Sequence, residues 1–257
     1  MIGKHYYAFE KDIQDSFTEN SLNQNNWDIL RMTGNKAFSI EKDIDSYEKN
    51  CLDAVDYMNA AKRISDCINS QKIDKQKIVS LGVGKGILEW HLKRMLPEFY
   101  IECTDYTINS LLQLKKVSPQ MDSIKQFDIL NGNYSELDVN SIFLMYRLST
   151  EFSFDQWCTI FKKLYEAGIQ NIIFIPTGLD GIMSIIKEYI KHWINVITEK
   201  KDILCGYLYS ENEYLKMFHA AKSTQLYSIQ EKVYFDNTAL FYLRRLPYES
   251  SDIIKKM

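Results

Sequence analysis

The sequence predicts an α/β fold built on a mostly parallel sheet, and three patterns support this. Short apolar runs alternate with amphipathic stretches from residue 77 onward, which is typical of βαβ units with right-handed crossovers. The runs 229–235 and 239–244 are joined by only three residues, too few for a helix. That spacing predicts an antiparallel hairpin at the end of the sheet. Residues 40–68 have a helical period instead, which predicts helices before the first strand.

The N-terminal part is expected to be helical only in its second half. Residues 1–38 are polar and irregular, whereas from residue 40 to 68 apolar residues recur every three or four positions and form one stripe. The members of this stripe are Ile44, Tyr47, Cys51, Val55, Met58 and Ala61. The pattern breaks at Ser70. We therefore expect an N-terminal helical cap at 1–70 and a sheet domain at 71–257.

Within the sheet domain, short apolar runs predict five strands before the hairpin, and the intervening stretches predict helices. The predicted strands are 77–81, 100–104, 124–127, 141–145 and 171–175. The predicted helices are 88–95, 108–116, 155–166, 182–198 and 211–221. The last two helices lie beyond the alternating core, and the sequence leaves open whether they form a dimer surface or a substrate lid.

Composition excludes several classes of protein. The chain has 31 basic and 34 acidic residues, a net charge of -3, which disfavours a nucleic-acid partner because such binding depends on Lys and Arg contacts to phosphate. The five cysteines show no CxxC or Cys/His spacing, so neither a disulfide framework nor a metal site is expected. No apolar run reaches the roughly 20 residues that a membrane span needs. We expect a cytoplasmic protein without a membrane partner.

The strongest local signal is a glycine-rich turn between the first predicted strand and the helix that follows. Gly82, Gly84 and Gly86 lie in this turn, where the backbone can approach a ligand closely. Asp105 ends the second strand and Asp128 follows the third. The carboxyl ends of parallel strands are where open α/β sheets bind ligands, so these residues together predict an adenosine-containing ligand. Each acid alone could equally be a helix cap or a solvated loop residue.

These residues show which family the chain resembles. The third glycine comes one position early for a dinucleotide fingerprint, and no P-loop motif is present. The glycine turn, the two acids and the terminal hairpin resemble the class I S-adenosylmethionine-dependent methyltransferases, over roughly residues 70–245. The resemblance implies a Rossmann-like seven-stranded sheet whose last strand is antiparallel. It also implies S-adenosylmethionine as the cofactor.

The same resemblance implies roles for individual residues in binding the cofactor. Gly82, Val83, Gly84 and Gly86 would pass around its methionyl part. Asp105 would bind the ribose and Tyr106 would pack on the adenine, whose edge Asp128 and Ile129 would hold. Met145 and Tyr146 would lie near the sulfonium. The family usually has an acidic residue two positions before the first glycine, and this chain has Ser80 there.

Candidate catalytic residues are expected beyond the fourth and fifth strands. Arg147 could hold an anionic group of the substrate and Glu151 could act as general base, although both could be surface or helix-start charges. His192, in the helix after the fifth strand, could contact substrate or be structural. Aromatic side chains of the cap could line a lid or simply pack; these are Tyr6, Tyr7, Trp27 and Tyr47.

Two classes of function remain open at this stage. The first is a methyltransferase that modifies an oxygen or nitrogen of a small molecule, such as a metabolite, sugar or surface-glycan precursor, and it is favoured by the intact glycines and acids. The second is a catalytically inactive binding or scaffold protein of the same fold, and it is favoured by Ser80. A nicotinamide oxidoreductase is a third choice, disfavoured by the glycine spacing and the hairpin. A homodimer is possible in either case.

Overall fold

The structure is a computed structural model and describes residues 3–7, 15–17, 24–32, 38–73, 76–198, 203–219 and 226–247. The strands are β1 (Gly3–Tyr7), β2 (Lys77–Leu81), β3 (Tyr100–Asp105), β4 (Ser123–Gln126), β5 (Ile142–Tyr146), β6 (Asn171–Ile175), β7 (Ile203–Leu208), β8 (Tyr227–Phe235) and β9 (Thr238–Arg245). The helices are α1 (Gln24–Met32), α2 (Ile44–Asp53), α3 (Val55–Ser70), α4 (Ile87–Met95), α5 (Ile108–Val117), α6 (Phe154–Glu166), α7 (Ile182–Ile197) and α8 (Glu211–His219).

The main sheet has seven strands in the order β4-β3-β2-β5-β6-β9-β8. The first five of these are parallel, whereas β9 pairs antiparallel with both β6 and β8. The α/β class, the mostly parallel sheet and the terminal antiparallel hairpin are therefore confirmed. All five strands expected before the hairpin are present, with bounds within two residues of the sequence expectation.

Helices cover both faces of this sheet, so its central strands are buried on both sides. Alternate residues of β5 illustrate the pattern: Ile142 and Leu144 pack into one apolar cluster, and Phe143 and Met145 into the other. The first cluster includes side chains of α2, α3, α4 and α5, and the second includes side chains of α6 and α8. Strands buried on both faces carry continuous apolar runs, which is why the sequence identified them.

The N-terminal part departs from the expected pattern in two ways. The single helical stretch expected at 40–68 is two helices, because the chain leaves the helical conformation at Ala54, where ψ is 69°. Within 1–38, which is irregular in its sequence pattern, the structure has β1 and α1. Strand β1 pairs antiparallel with β7, which was not expected either, and the two form a separate small sheet. Neither pairing partner is recognisable from local sequence, because the two strands lie about 200 residues apart.

Candidate functional site

The glycine turn connects β2 to α4 and is held in a conformation that favours glycine. Gly82, Gly84 and Gly86 all have left-handed backbone angles, with φ of 65°, 57° and 69°. A Cβ atom on Gly84 would lie 3.0 Å from the guanidinium of Arg31, which belongs to α1. The turn therefore leaves an open backbone surface next to a cation, and only glycine adopts this conformation without strain.

Asp105 stands at the carboxyl end of β3 and faces the glycine turn. Its Oδ2 accepts a hydrogen bond from the backbone N–H of Gly84 at 2.9 Å. Its Oδ1 accepts bonds from the backbone N–H and the hydroxyl of Thr107, both at 3.0 Å. The side chain is 8% exposed, so these three donors fix the carboxylate at the floor of the site.

Asp128 holds the next loop in the same way at the end of β4. Its Oδ1 accepts bonds from the backbone N–H groups of Leu130 at 2.8 Å and Asn131 at 2.9 Å. Its Oδ2 accepts one bond, from the side-chain amide of Asn131 at 3.0 Å. A carboxylate offers about four acceptor positions, so Oδ2 keeps capacity for a further donor.

A cavity of about 540 Å³ joins these residues at the carboxyl ends of the parallel strands. That volume is in the range of pockets that hold small ligands and cofactors. Most of the site residues expected from the sequence line it: Gly82, Val83, Gly84, Asp105, Tyr106, Asp128, Ile129, Tyr146, Arg147 and Glu151. Aromatic side chains from the N-terminal part, Trp27, Phe38 and Tyr57, line it as well.

Some expected site residues do not line the cavity. Ser80 is buried in β2, 1% exposed, and Gly86 is the buried last glycine of the turn, at the start of α4. Met145 is fully buried in the core under its neighbour Tyr146. His192 lies on α7, where its ring stacks on Tyr6 at 4.0 Å between centroids, away from the residues that line the cavity.

The four cap aromatics separate into different roles. Trp27 lines the cavity, whereas Tyr47 is fully buried and donates its hydroxyl to the backbone oxygen of Lys85 at 3.0 Å. Tyr6 packs on α7, and the side chain of Tyr7 lies outside the described part of the structure.

Glu151 lines the cavity from the loop after β5, on the side where α1 places Trp27 and Arg31. The indole N–H of Trp27 donates to its Oε2 at 3.1 Å. Burial raises the pKa of Glu151 to about 7, although the Trp27 hydrogen bond and the nearby Arg31 act in the opposite direction. A carboxyl group with this pKa exchanges its proton near neutral pH, which is what general base catalysis requires.

Arg147 lines the cavity directly after β5. Its backbone has the left-handed φ of 57°, and its N–H donates to the backbone oxygen of Ile175 at 2.8 Å. The guanidinium lies 5.8 Å from the ring centre of Tyr57 and 5.7 Å from that of Tyr146, within the range of cation–π contacts. The charge is thus held at the cavity wall by two aromatic rings.

Sequence reasoning missed Arg31, Tyr57 and Glu89. Arg31 donates to the backbone oxygen of Phe38 at 2.7 Å and lies over the ring of Trp27 at 5.1 Å. Its place beside Gly84 depends on the packing of α1, which has no signal in the local sequence. Glu89 falls within an apolar helical pattern, and nothing in its sequence neighbourhood marks it as a site residue.

Glu89 places a carboxyl group beneath the glycine turn, next to Ser80. The hydroxyl of Ser80 donates to Glu89 Oε1 at 2.6 Å, and Glu89 is 2% exposed. Its other oxygen, Oε2, is buried without a hydrogen-bond partner among the described residues. Burial raises the pKa of Glu89 to about 7. The chain therefore has an acidic group in this region, although it comes from α4 and not from position 80.

Replacing Glu89 by glutamine is expected to remove part of the pH dependence of stability. The pKa of Glu89 rises from the ordinary 4.5 in the unfolded chain to about 7 in the folded one. Unfolding then releases a proton between these values, so stability is lost as pH rises. Glutamine does not titrate. Raising the pH from 5 to 8 should therefore lower the free energy of unfolding of the wild type by about 2–3 kcal/mol more than that of the variant.

Urea unfolding at both pH values measures this difference, with exposed Glu98→Gln as the matched control. The control should unfold in parallel with the wild type. If the free energy of unfolding of Glu89→Gln also changed with pH as it does in the wild type, a raised pKa at this position would be contradicted.

Within the described ranges, no group of three or more His, Cys, Asp or Glu side chains is arranged to hold a metal ion. None of the helices in those ranges is both long and apolar enough to span a membrane.

Comparison with known proteins gives similarity in structure alone. No family model matches the chain, and no curated protein is similar to it in sequence. A magnesium protoporphyrin IX methyltransferase from Synechocystis PCC 6803, solved with bound SAH, has a TM-score of 0.53 and 10% identity. The match covers 75% of this chain and 84% of that one.

Two further solved structures are similar to this chain, and they are proteins of different kinds. An O-methyltransferase family 2 protein from Planctomyces limnophilus DSM 3776, in complex with apigenin, has a TM-score of 0.51 and 12% identity. That match covers 66% of this chain and 51% of the other, so the present chain spans about half of that relative. A putative Zn-dependent alcohol dehydrogenase from Rhodobacter sphaeroides has a TM-score of 0.55 and 11% identity, covering 72% and 90%.

At these identities the similarity concerns the fold and nothing more. In this chain the last strand, β9, lies antiparallel between β6 and β8, as the resemblance to the methyltransferases implied. The chain therefore has the fold of the class I S-adenosylmethionine-dependent methyltransferases.

Proposed function

We propose that the protein is an S-adenosylmethionine-dependent methyltransferase that modifies an oxygen or nitrogen of a small molecule. The observation that carries this proposal is that one cavity is lined by Asp105 and Asp128 and also by Arg147 and Glu151. A metabolite, sugar or surface-glycan precursor is the class of acceptor that we infer. The chain's balance of charges favours this class over nucleic acid.

The residues at the glycine turn fit the cofactor chemically. The open backbone at Gly84 leaves room that a Cβ atom would take, and Arg31 beside it offers a cation for a carboxylate. Asp105 would accept a hydrogen bond from one ribose hydroxyl at its remaining acceptor position, and the spare capacity of Asp128 would take the adenine amino group. Tyr106 and the buried Ile129 would pack on the two faces of the base.

S-adenosylmethionine, when bound, supplies a methyl group that is already activated on its sulfonium. The protein then has to align the acceptor with that group and keep water away. Tyr57, Tyr146 and Phe152 give the acceptor end of the cavity apolar walls, and Arg147 would hold a polar or anionic group there. Glu151 would take the proton from an acceptor hydroxyl or amine.

Calorimetric titration with S-adenosylhomocysteine tests this proposal. We expect micromolar binding by the wild type and at least a tenfold loss in Asp105→Ala, because a buried charged hydrogen-bond acceptor for the ribose is removed. Asp105 also holds its own loop through hydrogen bonds. Asp105→Asn and a thermal unfolding measurement therefore distinguish the loss of a contact with the ligand from the loss of folded structure. The matched control is Asp66→Ala, on an exposed part of α3.

The alternative function is a binding or scaffold protein that has lost catalysis, which Ser80 favours. Binding of S-adenosylhomocysteine without methyl transfer to any class of acceptor would support that alternative. No binding by the folded wild type would overturn both the cofactor assignment and the proposed reaction.

A further inference from the structure

The apolar face of helix α7 is exposed to solvent and points away from the core of the protein. Nine of the twenty large hydrophobic side chains that are exposed among the described residues belong to this one helix. They are Ile182, Met183, Ile186, Tyr189, Ile190, Trp193, Ile194, Val196 and Ile197, with exposed fractions from 40% to 72%. A surface helix ordinarily buries its apolar stripe and exposes its polar one, and α7 does the reverse.

The inward side of α7 is mostly polar and is occupied by β1. Glu188 Oε2 lies at hydrogen-bond distance from His5 Nδ1, 2.9 Å, and His192 stacks on Tyr6. Ile185 is the one buried apolar side chain of the helix, and a Cβ atom on Gly3 would lie 2.9 Å from it. These contacts fix the orientation of the helix, so rotation cannot bury the outer face without breaking them.

The outer face is large enough for a stable protein interface. Its nine exposed residues present on the order of 1,000 Å², against about 800 Å² per partner in a standard interface and ~300–600 Å² for the largest patch of a typical monomer. The face also contains Trp193 and Tyr189, residue types that are enriched at interfaces. Left in water, a continuous patch of this size would promote aggregation.

The charges on α7 favour a protein partner over a membrane. A helix that lies on a membrane surface combines its apolar face with a solvent-facing side rich in Lys and Arg. Here the exposed cations are Lys187 and Lys191, the latter 3.8 Å from Glu188, and the side opposite the apolar face is packed against β1. The protein as a whole has a net charge of -3, which gives no attraction to anionic lipid.

We propose that the outer face of α7 binds the same face of a second copy of this chain. A two-fold axis brings identical patches together, so one apolar helix face is sufficient to build both halves of the interface. The two α7 helices would run antiparallel where the two-fold axis crosses them, with their apolar faces in contact.

Sedimentation equilibrium tests the dimer with the full chain. We expect the wild type at twice the chain mass of 30.3 kDa over the micromolar range. Trp193→Glu should raise the dissociation constant by about 30-fold or more, since a buried interface aromatic is replaced by a charge. The matched control is Leu52→Glu, a comparably exposed apolar residue at 62% on α2, and it should remain dimeric.

Iodide quenching of tryptophan fluorescence gives a second reading. Trp90 and Trp157 are buried and Trp27 is half-buried, so the exposed Trp193 should dominate quenching in the monomer and become protected in the dimer. Ile190→Glu repeats the test at another position on the face if Trp193→Glu does not fold.

Three outcomes would overturn the proposal. The first is a single-chain mass for the wild type at all concentrations. The second is a dimer that Trp193→Glu and Ile190→Glu leave unchanged. The third is a monomer that sediments with phosphatidylcholine–phosphatidylserine vesicles and loses this binding in Trp193→Glu, which would assign the face to a membrane.

Discussion

Replacing Glu151 by glutamine is expected to lower kcat by about 10²–10⁴-fold, the range that a positioned general base contributes. Glutamine keeps the size of the side chain and can still accept the Trp27 hydrogen bond, so the cavity should hold its shape. Binding of S-adenosylhomocysteine should therefore change little. A loss of turnover without a loss of cofactor affinity would separate the proposed base from the cofactor site.

The pH profile gives an independent reading of the same residue. Burial holds the pKa of Glu151 at about 7, so the carboxylate form that can accept a proton becomes dominant above that pH. In the wild type kcat should rise as pH increases through 7 and level off above it. In Glu151→Gln that rise should disappear.

Exposed Glu166→Gln, at the end of α6, is the matched control and should keep both the rate and the profile. A Glu151→Gln variant with wild-type turnover would show that the acceptor needs no base from this position. Acceptors that are already nucleophilic, such as amines, would then be preferred over hydroxyl groups.

Replacing Gly206 by alanine is expected to destabilise the fold by about 3 kcal/mol and to reduce turnover with it. Gly206 lies in β7 with φ of 144°, and a Cβ atom there would lie 1.9 Å from the backbone oxygen of Thr150. The N–H of Tyr207 donates to that same oxygen at 2.9 Å. Strand β7 thus holds the loop that carries Glu151.

Urea unfolding and turnover measured on the same samples test this prediction. Gly181→Ala is the matched control, because Gly181 has an ordinary φ of -84° and a Cβ atom added to it would meet nothing within 4 Å among the described residues. It should match the wild type in both measurements. Equal stabilities for Gly206→Ala and the wild type would mean that β7 can move away from the loop at little cost.

The parts of the fold that sequence predicted correctly are those with local patterns. Strands β5 and β6 are buried on both faces, so each is a nearly continuous apolar run that stands out from its neighbours, and β2 is mostly apolar for the same reason. The hairpin of β8 and β9 followed from loop length alone, because a short connection can join only antiparallel strands. The glycine turn was equally visible, since its left-handed positions demand a particular residue type.

The parts that sequence could not predict depend on contacts between distant segments. Trp27 and Glu151 are 124 residues apart, and neither has a neighbour in sequence that marks it for the other. The pairing of β1 with β7 likewise joins segments that are about 200 residues apart in the sequence. The outward apolar face of α7 is a different case: its periodicity predicted a helix, but periodicity does not say which side faces the core.

His192 lies outside the main cavity, and its proposed contact with substrate stays a prediction. A histidine in the helix after the fifth strand was a reasonable candidate for a substrate contact. In the structure its ring stacks on Tyr6, and the residues lining the main cavity do not include it. The contacts of His192 depend on which side of α7 it occupies. The orientation of α7 is set in turn by its contacts with strand β1, which was not predicted.

A crystal structure of the protein with S-adenosylhomocysteine tests the central claim most directly. We expect a ribose hydroxyl on Asp105, the adenine edge on Asp128 and the sulfur facing the part of the cavity lined by Tyr146 and Glu151. The ligand bound outside this cavity, or reversed so that its adenine lies against Glu151, would contradict the proposed cofactor site and the reaction built on it.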